Sequence, residues 1–299
     1  MRVAAIDVGT NSILLLVLEG ERVLADRCRI ERLGQGVDRT GVLDPAAIGR
    51  ALDALREYAG VVRELDVEKL AAVGTQALRE VRNADDFLAP AAAILGRPVE
   101  VIGGRREAEL GFAAVMASFP ERRRGDAVVC DVGGGSTELI VGRDGAVVSL
   151  VSLPIGSVRM AERHLASDPP TRDEAAAMIA DLDGALARDA LPAGAPIVGV
   201  AGTVTTLAAV ALGLEPYDPD RVQGLVLDRS EVERQLELYL GLPLSARRQI
   251  RGLDPRRADV IAGGAAVVAR VLARVGAERL SVSDRGIRWG LALELLRQA

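Results

Sequence analysis

The sequence predicts an α/β fold built as two similar halves, and three observations carry that reading. The first is an internal echo. Residues 3–18 run VAAIDVGTNSILLLVL and residues 127–141 run AVVCDVGGGSTELIV; each is an apolar run, then D-V-G-x-x-S, then a second apolar run. The second is that both echoes continue through a turn into a third strand, EGERVLADRCRI in one half and GRDGAVVSLVSL in the other, with Gly145 as a hairpin signal. The third is that helical periodicity and short strands alternate through the rest, which points to α/β layering with some parallel pairing.

The elements follow in order. Asp44 before Pro45 is an N-cap with proline at the first helical position. It opens a helix over about 45–65 with Ile48, Leu52, Leu55, Ala59 and Val62 on one stripe. KLAAVGTQALREV reads as a strand, a loop and a helix, and RREAELGFAAVMASF as a helix over about 105–119. RRRGD at 122–126 breaks the periodicity and marks the join, dividing the chain into a domain of 1–121 and a domain of 122–299. In the second half, helices are expected near 156–166 and 172–188, the latter capped by Thr171. PIVGVAGTVTTLAAVALG reads as a strand, a Gly-hydroxyl turn and a helix. SEVERQLELYLGL reads as a helix capped by Ser230 with Glu233 completing a capping box. ADVIAGGAAVVARVLARVG is a helix with internal glycines, RLSVSD a short strand, and residues 286–296 a terminal helix. A duplicated antiparallel meander followed by β-α elements is the pattern of two ribonuclease-H-like, actin-like domains facing an interdomain cleft.

Composition narrows the chemistry. Aromatic residues make up 2% of the chain, so the core is packed from Ala, Val, Leu and Ile, and platforms for stacking bases are scarce; a single-strand nucleic-acid binder is disfavoured. The net charge of −5 gives no global basic field, so a polyanion would need a local patch of arginine. Lys69 is the only lysine, so nearly every cation is a guanidinium, the better bidentate partner for phosphate. Cys28 and Cys130 are too few for a disulfide framework or a cysteine zinc site, and Cys130 in the run AVVC reads as a buried small hydrophobe. His164 is the only histidine and reads as structural, which sets aside a Ser-His-Asp triad and a His-rich metal site. No GxxxxGK[ST] loop is present. Asp7 interrupts the first apolar stretch and no apolar run approaches a membrane span, so a cytoplasmic protein is expected.

Catalysis is therefore left to carboxylates, hydroxyls, arginine, backbone amides and Mg²⁺. In both D-V-G loops, glycine lets main-chain amides approach a phosphate. Candidate phosphate contacts are Thr10, Asn11 and Ser12 in the first loop and Gly133, Gly134, Gly135, Ser136 and Thr137 in the second. Asp7 and Asp131, at strand ends, can hold Mg²⁺ through water, and Glu138 can position water or the metal. A third Gly-hydroxyl loop adds Gly202 and Thr203 at an expected helix N-terminus, a good place for an anion. Ser283-Asp284-Arg285-Gly286 is a fourth candidate.

IDVGTNS, RLGQGVDRTG, GTQALREVRN, VIGGRREAELGF, DVGGGSTELIVG, DPPT, AGTVTTLAA, GLDPRRADVIAGG and SDRGIRWGLALE resemble, in order and over nearly the whole chain, the motifs of the exopolyphosphatase/guanosine-pentaphosphatase (Ppx/GppA) family. The resemblance implies two actin-like domains and Mg²⁺-dependent hydrolysis of terminal phosphates from inorganic polyphosphate, or of the 5′-terminal phosphate of pppGpp. It implies a catalytic glutamate at Glu107, with Glu138 and Asp131 in the GGGSTE loop, and places the family arginine and asparagine at Arg79 and Asn83. Two positions depart from the pattern: Arg106 stands where many members carry a second acid, and Trp289 follows Arg288 where a glutamate is common. Arg79 and Arg106, the latter beside Glu107, are the candidate phosphate clamps. The HD-like helical domain of long members would begin where this chain ends.

The expected function is release of orthophosphate from the ends of polyphosphate. pppGpp hydrolysis to ppGpp is the alternative, and an ATP-dependent phosphotransferase of the same fold or a non-catalytic polyphosphate or alarmone binder are further ones. The expected partners are polyphosphate or guanosine penta/tetraphosphate, with neither nucleic acid nor membrane, and a homodimer is kept open.

Overall fold

The computed structural model describes residues 1–187 and 190–298. The chain divides into one unit of Met1–Leu110 with Ile287–Ala299 and a second of Gly111–Gly286. The expected join after residue 121 differs from this division in two ways. The boundary falls inside a continuous helix, and the terminal helix returns to the first unit.

In the first unit, β1 (Arg2–Val8), β2 (Ser12–Glu19) and β3 (Arg22–Ile30) form the predicted antiparallel meander. β4 (Lys69–Gly74) pairs parallel to β1, and β5 (Glu100–Val101) parallel to β4, giving the order β3-β2-β1-β4-β5. β1 is central, and Val3 to Ile6 are fully buried, so it reads as an unbroken apolar run. A short helix α1 (Val37–Thr40) precedes α2 (Pro45–Glu64), which is capped by Asp44 accepting from Ala46 and Ala47 amides. α2 lays Ile48, Leu52, Leu55 and Ala59 on the sheet, and buried Tyr58 donates its hydroxyl to Ile13 O at 2.9 Å. α3 (Gln76–Arg79) follows β4.

The sequence reading places no element over α4 (Asp85–Leu95), whose interior carries Pro90, a residue that disfavours helix. Packing on α2 through Phe87, Ala91 and Leu95 holds it in place. α5 (Gly104–Ser118) is the helix that crosses the unit boundary. The terminal helix α13 (Ile287–Arg297) packs on β1 and β2. Gly290 lets α13 also approach α5 closely, since a Cβ there would run into the main chain of Leu110.

The second unit repeats the plan. β6 (Asp126–Val132), β7 (Thr137–Arg143) and β8 (Ala146–Leu153) form the meander, and β9 (Ile197–Val200) pairs parallel to β6. β11 (Arg279–Val282) is parallel to β9, and β10 (Val226–Asp228) closes the edge antiparallel to β11. The order is β10-β11-β9-β6-β7-β8. Both sheets thus carry three antiparallel strands followed by two parallel ones, the ribonuclease-H-like order.

Around this second sheet lie α6 (Ser157–His164), α7 (Arg172–Leu186), α8 (Ala201–Leu212), α9 (Pro219–Val222), α10 (Arg229–Gly241), α11 (Leu244–Arg247) and α12 (Ile261–Val275). Thr171 and Glu174 form a full capping box on α7; residue 188, the expected end of that helix, lies outside the described residues. The cap expected at Ser230 is instead Asp228, because Arg229 already lies in the helix and Glu233 pairs with Arg229 rather than reaching back to a cap. α12 is buried through most of its length, so its apolar faces meet α6, α7, α8 and α10. Its glycines are sites of close approach: a Cβ on Gly263 would lie 2.6 Å from Ser157 O, and one on Gly264 2.6 Å from Thr203. No helix among the described residues is long and apolar enough to cross a membrane.

Candidate active site

In the first unit, the tight turn between β1 and β2 is closed by Gly9 N donating to Ser12 O at 3.0 Å. The tip is held from behind by residues 31–34. Glu31 and Arg32 amides donate to Asn11 O at 3.1 and 2.9 Å, and Gly34 N to Thr10 O at 2.8 Å. These peptides are trans, so the N–H that follows each tethered carbonyl points the opposite way. The amides of Asn11 and Ser12 are therefore directed away from the backing segment. Arg32 holds a left-handed φ of 57° to make the bend. Gly34 is pressed against the Thr10 methyl, where a Cβ would not fit.

Asp7, Thr10, Asn11, Arg79 and Glu107 belong to this unit. Asp7, next to the last residue of β1, is 8% exposed, with Oδ1 buried and lacking a hydrogen-bond partner among the described residues. Both side-chain polar atoms of buried Asn11, and Gln76 Oε1, are likewise without partners there. Orphaned buried polar atoms are costly and point to a ligand or water. Glu107, in the first turn of α5, is 4% exposed and accepts from Arg79 Nη1, which also donates to Ile102 O at 2.7 Å. Burial holds Glu107 above the usual carboxylate range, opposed by the charge and hydrogen bond of Arg79. Burial pushes Asp7 up to about 7; the Glu107 charge adds to this and Arg288 opposes it. Arg106, one residue before Glu107, is turned to Glu294 on α13. Asn83 brackets the main chain of Leu43, accepting from its amide at 2.7 Å, and so has a structural job.

In the second unit, Gly133 N donates to Ser136 O at 3.0 Å, matching the first turn. Its backing is the start of α6. Ser157 N donates to Gly133 O at 2.9 Å, Val158 and Arg159 amides to Gly134 O at 2.8 and 3.1 Å, and Arg159 Nε to Gly135 O at 2.9 Å. By the same trans-peptide geometry, the N–H groups of Gly134, Gly135 and Ser136 all point away from α6. Three consecutive amides aimed to one side form a cradle for an anion. Gly156 abuts the main chain of Gly134 and Gly135, with no space for a Cβ.

Asp131 and Glu138 are register partners on β6 and β7, and Ser152 Oγ donates to Glu138 at 2.6 Å. Thr137 leaves the expected phosphate set. Consecutive strand residues face opposite sides, so Thr137 is fully buried and its hydroxyl donates to Ile155 O. Thr203 is also taken up in packing, against Gly264. The expected turn after β9 is absent, since α8 begins at Ala201, whose φ of 70° makes the reversal. Gly202 lies under the Arg257 guanidinium, where a Cβ would collide. His164 Nε2 lies 2.9 Å from Asp181, and Cys130 is buried, as expected.

Sequence reasoning passed over Arg159 and Gly156, and took Arg288 only as a departure from the family pattern. Arg288, on α13, forks onto Asp26 of β3 with both bonds at 3.0 Å and sets part of the field at Asp7. Nothing in their local patterns marks these arginines. The paired glycines of α12 read in the sequence only as glycines inside a helix, without the close approach they permit.

Among the described residues no group of three or more His, Cys, Asp or Glu could enclose a metal. What is present is a carboxylate pair in each unit, Asp7 near Glu107 and Asp131 beside Glu138. With the orphaned Asp7 Oδ1, that fits Mg²⁺, which keeps several waters and takes one or two carboxylates plus substrate phosphates.

The chain matches known proteins over nearly its whole length. The profile of the Ppx/GppA phosphatase family matches residues 18–299. The chain is 40% identical to exopolyphosphatase 2 of Mycobacterium tuberculosis, with 98% of each chain covered. It is 31% identical to a guanosine-5′-triphosphate,3′-diphosphate pyrophosphatase of Vibrio cholerae, covering 98% of this chain and 59% of that protein. The crystal structure of the Aquifex aeolicus Ppx/GppA family member superposes with a TM-score of 0.83 at 35% identity, over 100% of this chain and 98% of that one.

Proposed function

We propose that this chain, which belongs to the Ppx/GppA phosphatase family, hydrolyses the terminal phosphoanhydride of inorganic polyphosphate and releases orthophosphate. The observation that carries the proposal is Glu107: a buried carboxylate with raised proton affinity, held by Arg79, in a chain whose only histidine is tied to Asp181. Glu107 accepts the proton of the attacking water, which is the work a base with a pKa moved toward neutrality does well. A phosphate oxygen reaching Arg79 competes with Glu107 for the guanidinium, so substrate binding frees the base. The amides of Gly134, Gly135 and Ser136 grip phosphate oxygens, and Asn11 and Ser12 serve the same end in the first unit. In-line phosphoryl transfer needs mainly such positioning and charge neutralisation. Asp7 in the first unit, and Asp131 with Glu138 beside it in the second, are the carboxylates that would hold Mg²⁺, which would neutralise charge on the phosphates.

Polyphosphate is favoured over a nucleotide by Arg257. Its guanidinium covers Gly202 in the first turn of α8, and a guanidinium there suits a phosphate. The full-length match to the Mycobacterium tuberculosis exopolyphosphatase points the same way. Hydrolysis of pppGpp is the second reading, favoured by the match to the Vibrio cholerae enzyme. The test is orthophosphate release from polyphosphate, pppGpp, ppGpp and ATP, side by side with Mg²⁺. Fastest turnover of polyphosphate is expected; preference for pppGpp would replace the first reading with the second, and transfer from ATP would overturn both.

A further inference from the structure

We propose that Arg159 is a positioning residue that locks the phosphate cradle from behind, and that it tunes grip on phosphate rather than the chemical step. This rests on reading the 133–136 loop as the phosphate grip. Arg159 binds two successive carbonyls of that loop by different means. Its amide donates to Gly134 O at 3.1 Å and its Nε to Gly135 O at 2.9 Å.

The second bond fixes the peptide whose other end is the Ser136 N–H. A cation bound to a carbonyl polarises that peptide and makes its N–H a better donor. The first bond is main-chain and would survive substitution, while the second exists only while a side-chain donor reaches Gly135. The α6 start is itself fixed, because Gly263 and Gly264 of α12 let Ser157 approach without a side chain between. The carbonyl of Gly135 is thus the one tether of the cradle that depends on a single side chain. The first unit tethers its two carbonyls, Thr10 O and Asn11 O, by main-chain amides alone.

The experiment compares Arg159→Met with wild type, and with Arg163→Met as a control on the same helix, where Arg163 pairs with exposed Asp181. Tripolyphosphate affinity is measured by calorimetry, kcat and KM with polyphosphate, and amide exchange at residues 134–136 without ligand. Arg159→Met is expected to weaken tripolyphosphate binding and raise KM about tenfold, with kcat changed less and exchange at Ser136 faster. Arg163→Met should match wild type. Unchanged affinity and KM in Arg159→Met, or a loss confined to kcat, would overturn the proposal. If Arg159→Met does not fold, Arg159→Lys decides. It keeps the charge but not the planar Nε donor, so a severalfold loss of affinity is expected, and wild-type affinity overturns the role. A wild-type chain that binds tripolyphosphate without hydrolysing any substrate removes the proposed reaction and leaves this inference to the binding arm; one that does not bind it overturns both.

Discussion

The two D-V-G loops start from the same sequence pattern and end with different equipment. The first is polar in its side chains: Asp7, Thr10 and Asn11 are buried, Asp7 and Asn11 carry orphaned polar atoms, and Asp7 lies near the Glu107 that Arg79 holds. The second is bare glycine at its tip, and its amides are arranged by α6. Each is held by carbonyl tethers from a backing segment, and each backing segment brings in a glycine, Gly34 or Gly156, where a side chain would collide. A shared fold thus supplies one support device twice, and the proposed reaction divides the labour, with proton transfer assigned to Glu107 and anion grip to residues 133–136.

The largest test of that division is Glu107→Gln. Loss of phosphate release by about a thousandfold or more is expected, with polyphosphate binding near normal, as for removal of a general base. Turnover retained per bound substrate would place the base elsewhere. In the second unit the opposite split is expected. Gly134→Val crowds the cradle and should remove most phosphate affinity, read as a loss of tripolyphosphate binding in calorimetry.

The backing glycines separate the two supports more finely. Gly156→Ala meets main-chain atoms of Gly134 and Gly135, which cannot move without opening the cradle; Gly34→Ala meets the end of the Thr10 side chain. Gly156→Ala should cost about 1–3 kcal/mol of stability and weaken phosphate binding. Gly34→Ala should cost less on both counts. Denaturant melts and calorimetry check both, and equal costs would dissolve the distinction.

A smaller effect belongs to Asp7. Its carboxyl binds a proton more tightly in the folded state, where burial raises it to about 7, than in the unfolded chain. The folded state is therefore favoured at low pH, and that advantage is lost as pH rises from about 4 toward 7. The melting temperature of the wild type should fall by several degrees from pH 5 to pH 8. Asp7→Asn should flatten the fall, and a profile of the same slope in both proteins would refute it. Smallest of all should be the effect of the cysteines. Cys130 is buried and its thiol pushed up by burial, so Cys130→Ala and Cys28→Ala are each expected to keep wild-type turnover within about twofold. A folded Cys130→Ala protein without activity would contradict this.

Much of the architecture was legible because the cues were local. Alternating apolar runs around D-V-G-x-x-S fixed both meanders, Asp44-Pro45 fixed the start of α2, and Thr171 with Glu174 fixed that of α7. Elsewhere packing or an adjacent residue decided. Pro90 sits in a helix because α2 holds it there, and Ser230 is not a cap because Arg229 extends the helix back to Asp228. Thr137 carries the right hydroxyl for phosphate, yet strand alternation turns it into the core.

By itself the sequence determined the duplicated plan, the chemistry available to it and the positions of the carboxylates. Residue types and short-range periodicity are enough for that. Only the tertiary structure decided which of those groups meet. It paired Arg79 with Glu107, turned Arg106 to Glu294, brought Arg288 back from the last helix toward Asp7, and set Arg159 behind the glycines. Each of these contacts joins segments folded as separate elements. Their meeting depends on how helices pack on a sheet, and no local pattern encodes that.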